Sequence, residues 1–360
     1  MSRIQKQFIY IYFGNLNQKT KKMKIKFRDV KLSKANKERL DFINEIIEEY
    51  QEEGYILTLR QLYYQLVSRD VIPNKQNEYS KLSTLLKEGR MAGIVDWEAI
   101  EDRLRKPDKP SHWKSPKSII DACLDQYRKD RQKGQDVYLE VWVEKDALSG
   151  VLKRVTEKFG VPIMVNRGYS SASAMFDSYE RFLKAIQKGQ EVKILYLGDF
   201  DPSGVDMIRD IKSRIDEFIV GSEILKGEAD FGKNKKLYQE RFDDYIEQGL
   251  LGWEADEIAR EQFAEDKAKK FKIVPIALTK EQIREYNPPP NPAKITDPRA
   301  KEFIAKHGKT SWEVDALKPE VLNKILKDAI EENIDLDKFE EILQEEEADK
   351  EKLEEIKNQL

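Results

Sequence analysis

Beyond Ser33 the apolar positions Leu40, Ile43, Ile46 and Ile47 recur at three- and four-residue spacing, which predicts an amphipathic helix closed by an acidic run ending at Glu53 and by Gly54. Thr58 reads as the N-cap of a second helix carrying Leu62, Leu66 and Val67. A third is expected from about Tyr79 to Met91, with Leu82, Leu85 and Leu86 on its inner side. Gly93-Ile94-Val95 and Trp97 follow as short extended structure, so three short helices and little else form the first module. That pattern resembles a helix-turn-helix or winged-helix domain.

Pro107, Pro110 and Pro116 among several lysines mark a linker over 106–118, and one more helix follows it. The pattern then changes. Strand-like runs at Val137 to Val143, Pro162 to Val165 and Val192 to Leu197 alternate with helical stretches at Leu148 to Phe159, Ala172 to Ile186 and Val205 to Ile219. Alternation of this kind predicts a parallel sheet covered on both faces, so the second domain is expected to be α/β. Leu237 to Lys270 is charged and helical, and Phe271 to Leu278 gives one more strand. Pro288, Pro289, Pro290 and Pro292 force an extended segment. The end, Asp337 to Leu360, has few apolar positions and reads as a solvated helix or short coiled coil.

The 360 residues suggest about two domains. Charged residues make up 36% of the chain against about a quarter in an average globular protein, and the formal net charge is -3. Near-neutrality argues against a nucleic-acid partner until the charge is divided along the chain. Residues 1–135 hold 28 Lys and Arg against 19 Asp and Glu, while residues 337–360 hold 4 against 10. A basic front and an acidic rear therefore need separate explanations. One cysteine, Cys123, cannot form an internal disulfide, and with only His112 and His307 beside it soft ligands are too few for a zinc cluster. With no apolar run of membrane-spanning length, a cytoplasmic location is expected. The pattern is cleaner from Met23 onward, which suggests that translation starts there.

In an open parallel sheet, ligands bind beyond the carboxyl ends of the strands. Here those ends are acidic. The first predicted strand runs into Glu144-Lys145-Asp146 and the third into Gly198-Asp199-Phe200-Asp201-Pro202-Ser203-Gly204, with neither a Walker loop nor a Gly-rich dinucleotide fingerprint. Glu144, Asp199 and Asp201 as a set of hard oxygen donors suit Mg²⁺, with Mn²⁺ as a substitute. The alternative is that Asp199 and Asp201 cap the following helix.

A Glu at one strand end with Asp-x-Asp-Pro-x-Gly at another resembles the Toprim domain of topoisomerases, primases and some nucleases. Arg60-Gln61-Leu62-Tyr63-Tyr64 is similar to the Arg-x-x-Tyr-Tyr motif of the type IIB topoisomerase A subunit, as in topoisomerase VI, and of the meiotic double-strand-break transesterases, which place a winged helix before Toprim. Arg167-Gly168-Tyr169 and Trp312-Glu313-Val314-Asp315-Ala316-Leu317 resemble further segments of that superfamily. The resemblance spans roughly 35–320. It implies a winged-helix-like DNA-binding domain over 33–105, a linker and helix over 106–135 and a Toprim domain over 136–336; an N-terminal extension over 1–32 and an acidic tail over 337–360 flank them, and the tail is not a feature of the family. It also implies a homodimer acting on double-stranded DNA, with Tyr64 as nucleophile, Arg60 beside it, and Glu144, Asp199 and Asp201 on the metal. The family shows Glu-Lys-Glu where this chain has Glu144-Lys145-Asp146, and no ATPase module lies on the chain, so a separate ATPase or regulatory subunit would be required for strand passage.

Elementary geometry bears on Tyr64 independently. Four residues separate Arg60 from Tyr64, which puts both on one helix face, while Tyr63 points about 100° away. A phenol with a pKa near 10 needs a nearby cation or base to attack phosphorus. Both tyrosines could equally be core aromatics. Arg69, Lys81, Lys87, Arg90, Arg103 and Arg105 are candidate phosphate contacts, as is Lys145; Lys145 could also be a structural ion pair. The loop of Gly168, Ser170, Ser171 and Ser173 reads as a phosphate cradle or as an N-cap, and Glu313 and Asp315 as structural. Three functions remain open: a DNA-cleaving transesterase, a Toprim nuclease that activates water, as in the related nuclease subunit of the Wadjet plasmid-defence system, and a non-catalytic DNA-binding subunit.

Overall fold

A computed structural model of the chain describes residues 24–100, 112–166, 168, 170–225, 235–292, 297 and 299–359. Met23, Arg103, Arg105, Arg167 and Tyr169 lie outside the described residues. The chain divides into two compact units, up to residue 109 and from residue 110 onward.

In the first unit the three expected helices form: α1 (Lys34–Glu52), α2 (Leu59–Ser68) and α3 (Gln76–Met91). Ser33 caps α1 by accepting from the Asn36 amide. Thr58 and Gln61 form a reciprocal capping box that starts α2 where the polar-to-apolar change placed it. Leu40, Ile43, Ile46, Leu62, Leu66, Leu82, Leu85 and Leu86 are buried, and the three helices pack against one another. Helix α3 begins three residues before the expected start, at a turn where Tyr63 Oη donates to Asn74 Oδ1 at 3.0 Å or the Lys75 carbonyl at 3.2 Å. Residues 25–28 belong to this unit: the Phe27 and Arg28 amides donate to the Met91 carbonyl, and Phe27 meets Trp97 edge to face.

The second unit is α/β, as expected. Its sheet contains β1 (Val137–Val143), β2 (Ile163–Val165), β3 (Glu191–Leu197) and β4 (Phe271–Ala277), all parallel, in the order β2-β1-β3-β4. The intervening helices are α4 (Pro116–Gln126), α5 (Asp146–Phe159), α6 (Ala172–Gln187), α7 (Pro202–Leu225), α8 (Lys235–Glu247) and α9 (Gly252–Lys269). Beyond β4 come α10 (Lys280–Tyr286), the short pair β5 (Asn291–Pro292) and β6 (Thr310–Ser311), α11 (Ala300–His307), α12 (Pro319–Glu331) and α13 (Leu336–Asn358).

Alternation along the strands divides the core. Trp142, Val192, Ile194 and Tyr196 join Phe182, Met207, Ile211 and Phe271 in one cluster with α6 and α7, while α5 and α12 pack together and against β1, β2 and β4. Because β1 is followed by β2 on one side and β3 on the other, the chain reverses its winding between β1 and β3. Ligands of open α/β sheets bind at this crevice.

The tail departs from expectation. Rather than a wholly solvated helix, α13 buries Phe339, Ile342 and Glu346. Phe339 meets Phe159 at 5.3 Å between ring centroids, and the fully buried Arg131 forks onto Glu346 through Nη2 at 2.7 Å and Nε at 3.1 Å. A buried glutamate within a Glu-rich run cannot be told from its neighbours by periodicity, because its partner lies 215 residues away. Among the described residues no helix is long and apolar enough to cross a membrane.

Candidate functional site

Glu144 follows β1 and Asp199 follows β3, so the parallel register Val143↔Leu197 sets them side by side at the crevice. The contact is direct: the Asp199 amide donates to Glu144 Oε2 at 3.0 Å, and the Glu144 amide donates to the Leu197 carbonyl at 3.0 Å. The third acid has a different local role. Asp201 Oδ1 accepts from the Gly204 amide at 2.7 Å, which is the helix-cap alternative realised at the start of α7. Gly204 is required there, since a Cβ would collide with the Asp199 carbonyl oxygen.

Asp199 does not cap α7. Its Oδ1 accepts from the Val314 amide at 2.8 Å and from Lys145 Nζ at 2.8 Å. The late segment reaches the site through the bridge Phe200↔Trp312, with amide-to-carbonyl distances of 2.8 and 3.1 Å. That bridge delivers Glu313 and Asp315, which meet Lys145 Nζ at 2.8 and 2.7 Å. Lys145 is thus a structural cation shared by three carboxylates, the ion-pair alternative for this residue. The part played by Glu313 and Asp315 in the acidic cluster is not readable from their spacing, because a two-residue bridge far along the chain positions them.

The balance of charge is uneven. Glu144, Asp199, Asp201, Glu313 and Asp315 gather at one sheet end with Lys145 among them. Burial pushes the Asp199 carboxyl up to about 7, with Glu144 and Asp315 adding repulsion against the attraction of Lys145. Glu144 is raised too, chiefly by burial. Between pH 4 and 7 the folded chain therefore holds protons that the unfolded chain has released. The sign follows: stability from Asp199 is fully present in acid and is lost as pH rises through about 7, and the raised Glu144 acts in the same direction. With chelator present, Asp199→Asn should gain in urea midpoint relative to the parent as pH goes from 5 to 8; a constant difference would contradict the shift.

The donor set suits a hard cation in chemistry. Among the described residues Glu144, Asp199 and Asp201 each engage one carboxylate oxygen in the contacts above, leaving the second as a donor. They do not form a closed cage: no group of three or more His, Cys, Asp or Glu side chains is gathered for a metal among the described residues.

In the first unit, Arg60 and Tyr64 share a face of α2, the guanidinium carbon lying 5.9 Å from the ring centroid. The cation sits against the ring. Tyr64 is 5% exposed and its ring meets that of Tyr63 edge to face, while Tyr63 meets Tyr79 in the same way. Of the expected phosphate contacts, Lys87 is exposed, Lys81 pairs with Glu78 at 2.7 Å and Arg69 with Glu49 at 2.6 Å. Arg90 is committed to structure: Nη2 donates to the carbonyls of Trp97 and Ile100 at 3.1 and 2.9 Å, and the guanidinium lies over the Trp97 ring. Ser171 caps α6 by accepting from the Ala174 amide, the N-cap alternative for that loop.

Comparison with family models, with curated proteins and with solved structures finds no match for this chain.

Proposed function

We propose that the protein is a divalent-cation-dependent enzyme that cleaves duplex DNA by transesterification, built from a winged-helix-like unit and a Toprim-like unit. The observation that carries this reading is the pair Glu144 and Asp199, hydrogen-bonded at the β1/β3 switch point, with acids in excess of the single Lys145. Glu144, Asp199 and Asp201 would hold Mg²⁺ or Mn²⁺, which when bound supplies positive charge against a phosphodiester. Tyr64 Oη would attack phosphorus, forming the phosphotyrosyl bond at the 5′ end as the bond from phosphorus to the 3′ oxygen breaks. The phenolic proton leaves to solvent, and the departing 3′ oxygen takes one up. Breaking both strands needs two nucleophiles, hence a homodimer. Strand passage, in turn, would need a separate ATPase.

The burial of Tyr64 favours a second reading, hydrolysis by water at the same acids with the tyrosine serving only the core. One assay separates them. Supercoiled plasmid and end-labelled duplex are incubated with the protein and Mg²⁺ or Mn²⁺, then denatured and examined before and after protease. Label bound to protein, lost in Tyr64→Phe and in Asp199→Ala, is the expected result. Free ends that persist in Tyr64→Phe but vanish in Asp199→Ala would establish hydrolysis. Salt-sensitive binding with no cation-dependent cleavage would instead mark a DNA-binding subunit.

A further inference from the structure

Between the first turn of α1 and the middle of α3 lies an open groove of about 620 Å³. Lys31, Arg39 and Lys81 line it, with Asn36 and Ser80 as neutral polar groups. Its acids are already matched: Glu88 is bound by Arg28 at 2.7 Å, and Glu78, beside the groove, by Lys81 at 2.7 Å. Lys31 and Arg39 make no ion pair among the described residues, so the groove keeps a positive surplus. Arg39 is half-buried, and Lys31 is exposed.

We propose that this groove seats the phosphate backbone of duplex DNA, with Lys31 and Arg39 as its principal contacts. This proposal rests on the reading of DNA as substrate, and it assigns the contact to a face that the α2 motif does not include. Length favours a polyanion over a single phosphate. The α3 wall from Ser80 to Glu88 runs for about 12 Å at 1.5 Å per residue, and one strand of a duplex presents a charge about every 3.4 Å along its axis. Successive phosphates also wind around that axis and lie farther apart along the strand, so about two consecutive phosphates face the wall. The open shape agrees, because a strand must enter and leave at both ends, whereas an isolated anion is better held by an enclosing site. Arg39, with its planar donor fork, suits a phosphate oxygen pair, and Lys31 acts as a point charge at the rim.

The test is binding of a fluorescent duplex oligonucleotide in EDTA, where cleavage is absent, as a function of salt. Lys31→Gln/Arg39→Gln is compared with the parent and with Lys133→Gln/Lys188→Gln, which removes the same charge from exposed positions of the second unit. Loss of two phosphate contacts should lower the slope of log affinity against log salt by about 2, at about 0.9 per contact. Affinity at moderate salt should fall at least about tenfold, with unchanged circular dichroism. A groove variant that matches the charge control overturns the proposal while leaving DNA cleavage standing. Displacement of the duplex by millimolar inorganic phosphate at constant ionic strength, with the slope unaltered by the groove variant, identifies a free-anion site and overturns it as well. If the parent protein binds no duplex at all, this proposal and the functional reading fall together.

Discussion

Glu346→Leu is expected to destabilise the second unit by about 3–5 kcal/mol, because it strands the Arg131 guanidinium in the interior. Arg131 and Glu346 side chains are each 1% exposed. Beyond the two bonds to the carboxylate, Arg131 Nη1 donates to the Lys158 carbonyl at 2.5 Å or that of Glu157 at 3.3 Å. Those neutral carbonyls satisfy donors without cancelling charge. Glu346 in turn accepts from the Lys129 amide at 3.1 Å and from Lys350 at 3.0 Å. Burial acts to raise its carboxyl, yet hydrogen bonds from Arg131 and Lys350 outweigh that and hold it below the ordinary value. The stabilisation is present above the ordinary carboxylate range and is lost as pH falls through the lowered folded value. Urea unfolding at neutral pH reads the cost. Arg131→Met/Glu346→Leu, which removes both charges, should recover most of the loss. A single-variant cost below about 1 kcal/mol would show that α13 is a solvated appendage after all.

The contrast between Glu346 and Leu40 explains what the sequence could disclose. Leu40, Ile43, Ile46 and Ile47 announce their helix because burial repeats with the helical period, and Val137–Val143 announces a strand because all its residues but Glu140 are apolar or aromatic. Strand ends follow, and with them Glu144 and Asp199. Hidden in the sequence were pairings set by distant chain segments: Arg131 with Glu346, and Lys145 with Glu313 and Asp315. A charged residue has no periodic signature of its own. Asp199 and Asp201 illustrate the same limit at short range, since two residues of one motif serve different ends, one bonded across the crevice and one capping α7.

Lys145→Met carries the second large effect. In the absence of divalent cations it is expected to cost about 3 kcal/mol at pH 8, since one ammonium is shared by three carboxylates at 2.7 to 2.8 Å, of which the Asp315 side chain is fully buried. Protonation offers a partial escape. Asp199 already titrates near 7, and without the lysine its carboxyl is pushed higher still, so at pH 6 it enters the folded state neutral and the variant loses less. The cost therefore grows as pH rises from 6 to 8. Mg²⁺ should reverse it. An ion held by Glu144, Asp199 and Asp201 replaces the missing positive charge, so the gap in urea midpoint between variant and parent narrows with millimolar Mg²⁺ at pH 8 and reopens with EDTA. A gap indifferent to Mg²⁺ would leave Lys145 as the cluster's structural cation and remove the acids from the list of metal ligands. A gap that is absent at both pH values would mean that the three ion pairs are no stronger than those on the open surface.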